Sequence, residues 1–228
     1  MKDECLLCGA PLVYLPHETE MECAICRKKE HSAAKCTAGH YVCNTCHTRG
    51  MDAMFHACLT HASRDPMVVL RTLMALPFCH MHGPEHHTLV GAALLTAYKN
   101  SGGSINLPTA LQEMYARGQK VPGGACGYWG ACGAAISSGM FVSIITGSTP
   151  LAGKEWGLCN QMTAASLQAI GSIDGPRCCK RNSTLAILAA VQFVKDHLGI
   201  EMEIDPAVYC IHSAQNSQCI GARCPFHP

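Results

Sequence analysis

The chain has 228 residues and a mass of 24.4 kDa, enough for one domain with an appendage or for two small ones, and its 48% apolar against 14% charged residues exclude a disordered chain. A net charge of +1, from 17 basic and 16 acidic residues, excludes the footprint of a nucleic-acid or anionic-lipid binder. An odd count of 17 cysteines with CxxC pairs, behind Met1-Lys2-Asp3-Glu4 and no apolar signal segment, points to reduced thiols, metal and a cytoplasmic location, and excludes a secreted disulfide framework.

Composition changes near residue 50, so residues 1–50 read as a Cys/His zinc-binding module. Cys5-x2-Cys8 and Cys23-x2-Cys26 are two knuckles, and Cys36-x3-His40-x2-Cys43-x2-Cys46 supplies four further donors. Thiolates at i and i+3 in a tight turn can face one ion, and two such turns complete a tetrahedral site. Gly9 suits the first turn, and Pro11-Leu12-Val13-Tyr14 suits the short strand of a zinc ribbon. Alternatively, CTAGHYVCNTCH looks like half of a cross-braced, RING-type finger. Cys5, Cys8, Cys36 and His40 would then share one ion, and Cys23, Cys26, Cys43 and Cys46 the other. Spacing does not choose between these pairings, nor between two zinc ions and one with spare thiols. Arg27, Lys28, Lys29, Lys35 and Arg49 are too few and too mixed with glutamates for a phosphate track. The module reads as structural, or as the docking surface for a protein partner.

Residues 51–205 read as a helical domain. Asp65-Pro66 caps a helix closed by Pro77; His87 to Asn100 forms a second, ended by Ser101-Gly102-Gly103. Asn106 with Pro108 opens a third, stopped by Gly118. Further helices are expected at about Gly133–Thr146, Glu155–Ile170 and Cys178–Leu198, the last closed by Gly199. Glu201 to Ile204 alternates like a strand. The apolar stretch from Ala131 to Gly147 is short of the ~20 residues a bilayer requires and reads as a buried helix.

Three constellations in this domain carry chemistry. Cys79-His-Met-His-Gly-Pro-Glu-His-His87 combines imidazole and carboxylate, a set that suits zinc or non-haem iron, with His82, Glu85 or His86 available as a base. In Gly123-Gly-Ala-Cys126-Gly-Tyr-Trp-Gly-Ala-Cys132-Gly, glycines let backbone N–H groups approach sulfur, as iron–sulfur clusters require. In Asp174-Gly-Pro-Arg177-Cys178-Cys179-Lys180-Arg181-Asn182, a helix start is flanked by basic groups that can hold a small anion. One of Cys178 and Cys179 is expected to bind while the other packs. Residues 206–228 form a cysteine-rich tail, Cys210-x8-Cys219-x4-Cys224-Pro225, expected to fold back on the body and bind metal, completed by His227, Cys58 or Cys79.

GHYVCNTCH, DPMVVLRTLM, HMHGPEHH, GGACGYWGACGAA, SIITGSTPL, GPRCCKR and CIGARCP together resemble a prokaryotic family known only as a domain of unknown function. Residues ~126–190 are also similar to the helical domain of iron–sulfur L-serine dehydratases and cysteine desulfidases. That second resemblance implies a 4Fe–4S cluster on Cys132 and Cys178 or Cys179, with one iron open as a Lewis acid. Lys180, Arg181 and Asn182 would then lie in the substrate neighbourhood. The chain departs from those enzymes in its CC pair, its extra Cys126 and its lack of their other domain.

The expectation is therefore a mostly α protein: a small zinc-ribbon or cross-braced finger followed by an all-helical iron–sulfur-type domain. Its cluster ligands would come from Cys126, Cys132, Cys178, Cys179, Cys210, Cys219 and Cys224. It would act as a lyase on a small anionic metabolite held by Arg177, Lys180, Arg181 and Asn182. The competing expectation is a non-catalytic metal, cluster or sulfur carrier that docks on a partner enzyme.

Overall fold

The structure is a computed structural model describing residues 5, 7, 8, 10–47, 50–205 and 207–228. Residues 1–4, Gly9 and Arg49, used in the readings above, lie outside the described residues.

The amino-terminal module is an antiparallel hairpin of β1 (Leu12–Glu22) and β2 (Lys29–Cys36), followed by the single turn α1 (Asn44–His47). The register runs from Leu12 opposite Cys36 to Tyr14 opposite Ala34, breaks, and resumes from Thr19 opposite Ser32 to Glu22 opposite Lys29. Pro16, which has no N–H for the ladder, falls in the break. The strand is therefore longer than the Pro11–Tyr14 piece expected, because the polar β2 pairs along it. The buried centre is made of Cys23, Cys43 and Cys46 with Ile25, Tyr41 and Val42 against them. So small an apolar cluster leaves the order of this module to whatever its thiols bind.

Eight further helices build the body: α2 (Met51–Thr60), α3 (Pro66–Met74), α4 (His86–Asn100), α5 (Leu107–Gly118), α6 (Ala125–Tyr128), α7 (Gly133–Thr146), α8 (Lys154–Gly171) and α9 (Cys179–Leu198). The capping signals act as read. Asp65 Oδ1 accepts from Met67 N at 2.7 Å with Pro66 at the first helical position, and Asn106 Oδ1 accepts from Thr109 N at 3.1 Å. Gly147 and Gly199 end α7 and α9 at φ 66° and 68°. Every residue of α4 from His86 to Ala97 is buried, and α2, α3, α5, α7 and α9 pack round it. The molecule is mostly α, with a small finger-like sheet module in front.

Three local expectations need correcting. α4 starts at His86, one residue early, inside the histidine run. α2 carried no start signal in the sequence; its N-cap is Gly50 at φ 105°, with no side-chain cap. Glu201–Ile204 is extended but not a strand, because no second strand lies beside it: Glu203 N donates to Arg64 O at 3.0 Å, and Asp205 N to Asp65 Oδ2 at 3.0 Å. The apolar stretch is α7, and among the described residues no helix is long and apolar enough to cross a membrane. Residues 207–228 contain only the single 3-10 turns Ser213–Gln215 and Gly221–Arg223.

Candidate metal centres

The hairpin interleaves the knuckles. Its ladder places Cys36 opposite Leu12, and so beside Cys5 and Cys8, while Cys23 and Cys26 at the hairpin turn meet Cys43 and Cys46. The donor atoms of Cys5, Cys8, Cys36 and His40 lie within 4.8 Å of one another, as do those of Cys23, Cys26, Cys43 and Cys46. This is the cross-braced grouping. Cys8 and Cys36 sulfurs are 3.9 Å apart, Cys26 and Cys43 sulfurs 3.5 Å, and His40 Nδ1 is 3.3 Å from Cys8 Sγ. A tetrahedral ion with zinc–sulfur bonds of about 2.3 Å sets its sulfurs about 3.8 Å apart, so both tetrads fit one ion each. Burial pushes the Cys43 thiol up to about 12, while amide N–H groups, Cys43 N among them at 3.3 Å, overcome burial and pull Cys23 down to about 6. Four thiolates this close need a cation to coexist.

The second centre surrounds Glu85, which has no exposed surface. Glu85 Oε1 accepts from His80 N at 2.7 Å, Oε2 lies 3.2 Å from His47 Nδ1, and Oε1 lies 3.4 Å from His80 Nδ1. Neither imidazole contact has hydrogen-bond geometry: His47 Nδ1, His80 Nδ1 and Glu85 Oε2 are buried without a hydrogen-bond partner. Metal bonds of about 2.0–2.1 Å would set N and O donors about 3.3 Å apart round a tetrahedral ion; His47 Nδ1 stands about that far from Oε2 and His80 Nδ1 from the other oxygen, Oε1, with one donor of each residue within 4.8 Å of the others. Burial works to raise the Glu85 pKa, but His47, His80 and His86 outweigh it and hold the carboxyl well below its usual range. A Cβ on Gly83 would come within 2.2 Å of Glu85 Oε2, so the centre needs glycine there.

Cys79, Glu85 and His86 form an adjoining set of donors within 4.8 Å. His86 Nδ1 donates to Gly83 O at 3.1 Å, which leaves Nε2 with its lone pair 3.8 Å from Cys79 Sγ. Burial pushes Cys79 up to about 11 although the Lys180 ammonium, donating to its sulfur at 3.3 Å, opposes this. His82 is held neutral by burial and by Arg177, down to about 4; its Nδ1 accepts from Cys179 N at 3.2 Å and its Nε2 donates to Asn216 Oδ1 at 3.2 Å. Of the residues read as bases, Glu85 thus sits among ligand-type neighbours, and both nitrogens of His82 are committed.

The third region is the CC helix start. Cys178 is the extended N-cap of α9 (φ −143°) and Cys179 its first helical residue, so the two thiols diverge. Cys179 lines a cleft of about 330 Å³ between module and body, together with Cys126, His47, His82, Arg177 and Tyr14. Cys126 and Cys132 line an adjoining hollow with Arg177, Arg181 and Asn182, and Asn182 Nδ2 donates to Cys132 Sγ at 3.4 Å. Cys178 lines a separate cavity with Cys210, Cys219 and Cys224. The seven cysteines read as cluster ligands therefore divide between two places. The four anion-binding residues divide as well: Lys180 turns to Cys79, Arg181 donates to Pro176 O at 3.0 Å, and Arg177 faces the cleft, stacked 5.1 Å from the Tyr14 ring. In the tail, Asn216 Oδ1 accepts from His82 Nε2 of the body at 3.2 Å. The tail cavity is lined by Cys178 and His227, whereas Cys58 is buried in the main core and Cys79 belongs to the Glu85 neighbourhood.

Sequence reasoning missed His47 and Asn216 and gave His80 no role. His47 carried one signal, its place directly after the ligand-type Cys46; Asn216 carried none.

The model of the family of unknown function DUF5714 matches residues 54–227, so the chain belongs to that family. No curated protein and no solved structure matches the chain, which leaves the resemblance to iron–sulfur dehydratases and desulfidases without support.

Proposed function

We propose that this DUF5714 member is a metalloenzyme that performs Lewis-acid elimination chemistry on a small anionic, hydroxyl- or thiol-bearing metabolite in the cleft between module and body. The observation that carries this reading is that His47, His80 and Glu85 form one donor set in which His47 Nδ1, His80 Nδ1 and Glu85 Oε2 are buried without hydrogen bonds. Three protein ligands leave a coordination position open, the mark of a catalytic rather than a structural site. A metal bound there would polarise the leaving heteroatom. His47 lines the cleft and would join it to the site, and Arg177 adds positive charge to the same lining. With Glu85 a ligand and His82 committed on both nitrogens, His86 Nε2 keeps a lone pair but lies buried behind the centre and off the cleft lining, so the proton would go to a group of the substrate or solvent. The two module tetrads, holding zinc, would fix His47 in place.

A second reading keeps the open position on a cluster iron. It rests on Cys126, Cys132 and Cys179, three soft donors on connected hollows beside Arg177. Cobalt replacement tests both. Metal-free protein reloaded with cobalt(II) without oxygen should take up one ion beyond the two module sites. The visible bands of that ion should shift when a small hydroxy- or mercaptocarboxylate is added. In His80→Ala the extra ion and its response should vanish, and persistence of both would overturn the first reading. Loss of the response in Cys126→Ser/Cys132→Ser alone would favour the second. Metal that passes to a partner protein without any turnover would instead favour the carrier.

A further inference from the structure

We infer that Cys178, Cys210, Cys219 and Cys224 together hold an iron–sulfur cluster, a closed four-thiolate site apart from the cleft and independent of the reading above. The four sulfurs come from the first residue of the α9 cap and from three points of the tail, and they line one cavity. The tail contains no helix longer than a single 3-10 turn, yet it is held in a fixed course, with Cys210 N donating to Phe226 O at 2.6 Å. A segment with so little regular structure needs an anchor to repay its ordering entropy.

Amide donors already surround the sulfurs. His212 N donates to Cys210 Sγ at 3.3 Å, Gly221 N to Cys219 Sγ at 3.4 Å and Arg181 N to Cys178 Sγ at 3.4 Å. The first two are the same contact, two residues on, that Leu7 N makes to Cys5 Sγ at 3.5 Å in the module. Asn216 Nδ2 adds a side-chain donor to Cys178 Sγ at 3.6 Å. N–H groups aimed at sulfur stabilise thiolate and tune cluster potential.

Charge points the same way. Arg181 lines this cavity while only 5% exposed, and among the described residues it is not ion-paired to a carboxylate, whereas Lys180 on the same lining is turned to Cys79. Buried cations need an anion, and four thiolates around a cluster supply one. The tail thiols are set more widely than those of the module. Module sulfurs approach to 3.5 and 3.9 Å, whereas among the described residues the tail thiols form no set within 4.8 Å. Ligands standing on separate irons are wider apart than ligands sharing one zinc.

The test compares the full chain with Cys219→Ser/Cys224→Ser and Cys126→Ser/Cys132→Ser after oxygen-free reconstitution with ferrous iron and sulfide. Iron, acid-labile sulfide and zinc are counted per chain, and the dithionite-reduced proteins are examined by electron paramagnetic resonance. The tail variant should lose about four irons and four sulfides relative to the full chain and keep its zinc, and the cleft variant should retain the tail cluster. Unchanged iron and sulfide in the tail variant, or loss of zinc in place of iron, would overturn the assignment. Should the double variant fail to fold, Cys219→Ser alone leaves an oxygen ligand and should shift the cluster's g-values; an unshifted spectrum overturns it equally. His80→Ala should not alter the acid-labile sulfide count, so the fate of the Glu85 centre is read separately.

Discussion

Glu85→Gln is a nearly isosteric change with a calculable cost. The amide keeps an oxygen for His80 N, now 2.7 Å away, but cancels the charge facing His47 at 3.2 Å and His80 at 3.4 Å in a fully buried site. With the metal bound, removing the carboxylate from this buried charged set costs about 3–5 kcal/mol, and for a domain of this size each kcal/mol moves Tm by about 2–4 °C. The variant should therefore melt roughly 6–20 °C lower. A carboxamide is also a poor metal ligand, and site binding energy is folding energy. With the module sites already filled, added zinc should then raise the Tm of the unsubstituted chain and leave that of Glu85→Gln where it was. Differential scanning fluorimetry with and without zinc, together with metal counting, reads both effects. The reasoning fails if Glu85→Gln melts with the parent, or if zinc raises both proteins equally.

Other expectations follow from packing and burial. Gly91→Ala would place a Cβ 2.1 Å from Met114 Cε and 3.1 Å from Ser137 Oγ at the α4–α7 contact, and should cost about 1–3 kcal/mol in urea unfolding. Cys58→Ala, in the main core, should cost about 1 kcal/mol and change no metal count, since Cys58 is buried away from every donor set. Ending the chain after Asp205 removes three of the four tail thiols, so iron should be lost while module zinc stays; unchanged iron and Tm would make those thiols packing residues. His82 is held neutral down to about 4, whereas unfolded histidine titrates near 6.5, so its contribution is intact above 6.5 and declines as pH falls toward 4. The loss should reach roughly 3 kcal/mol, and His82→Asn should flatten that part of the stability–pH curve.

What could be read in the sequence was whatever is encoded locally. Asp65-Pro66 and Asn106 with Pro108 announce their helices because capping is settled within four residues, and the eight module donors stand out by spacing alone. Their pairing did not, because it depends on β2, whose Lys29, Glu30, His31, Ser32 and Lys35 give no apolar alternation to read. His47 escaped notice for the same reason at longer range: its partner Glu85 is placed by a different segment and reaches it only through the fold. The opposed directions of Cys178 and Cys179 follow from an extended cap meeting a helix, a backbone detail that the pair of letters does not contain. Asn216, in a single-turn tail, acquires meaning only once His82 and Cys178 flank it.

The adjacency of Cys46 and His47 has a consequence for the order in which the molecule is completed. His80 and Glu85 lie inside the segment shared with the family, and His47 lies before it. The proposed centre would thus be a composite, finished by a residue on the turn that follows the last knuckle. Until Cys43 and Cys46 are gathered by an ion, nothing in the small module fixes where that imidazole points. If the module's ion is zinc, its supply would act as a licence: a chain short of it would carry a proposed centre lacking one of its three ligands, folded in the body and idle.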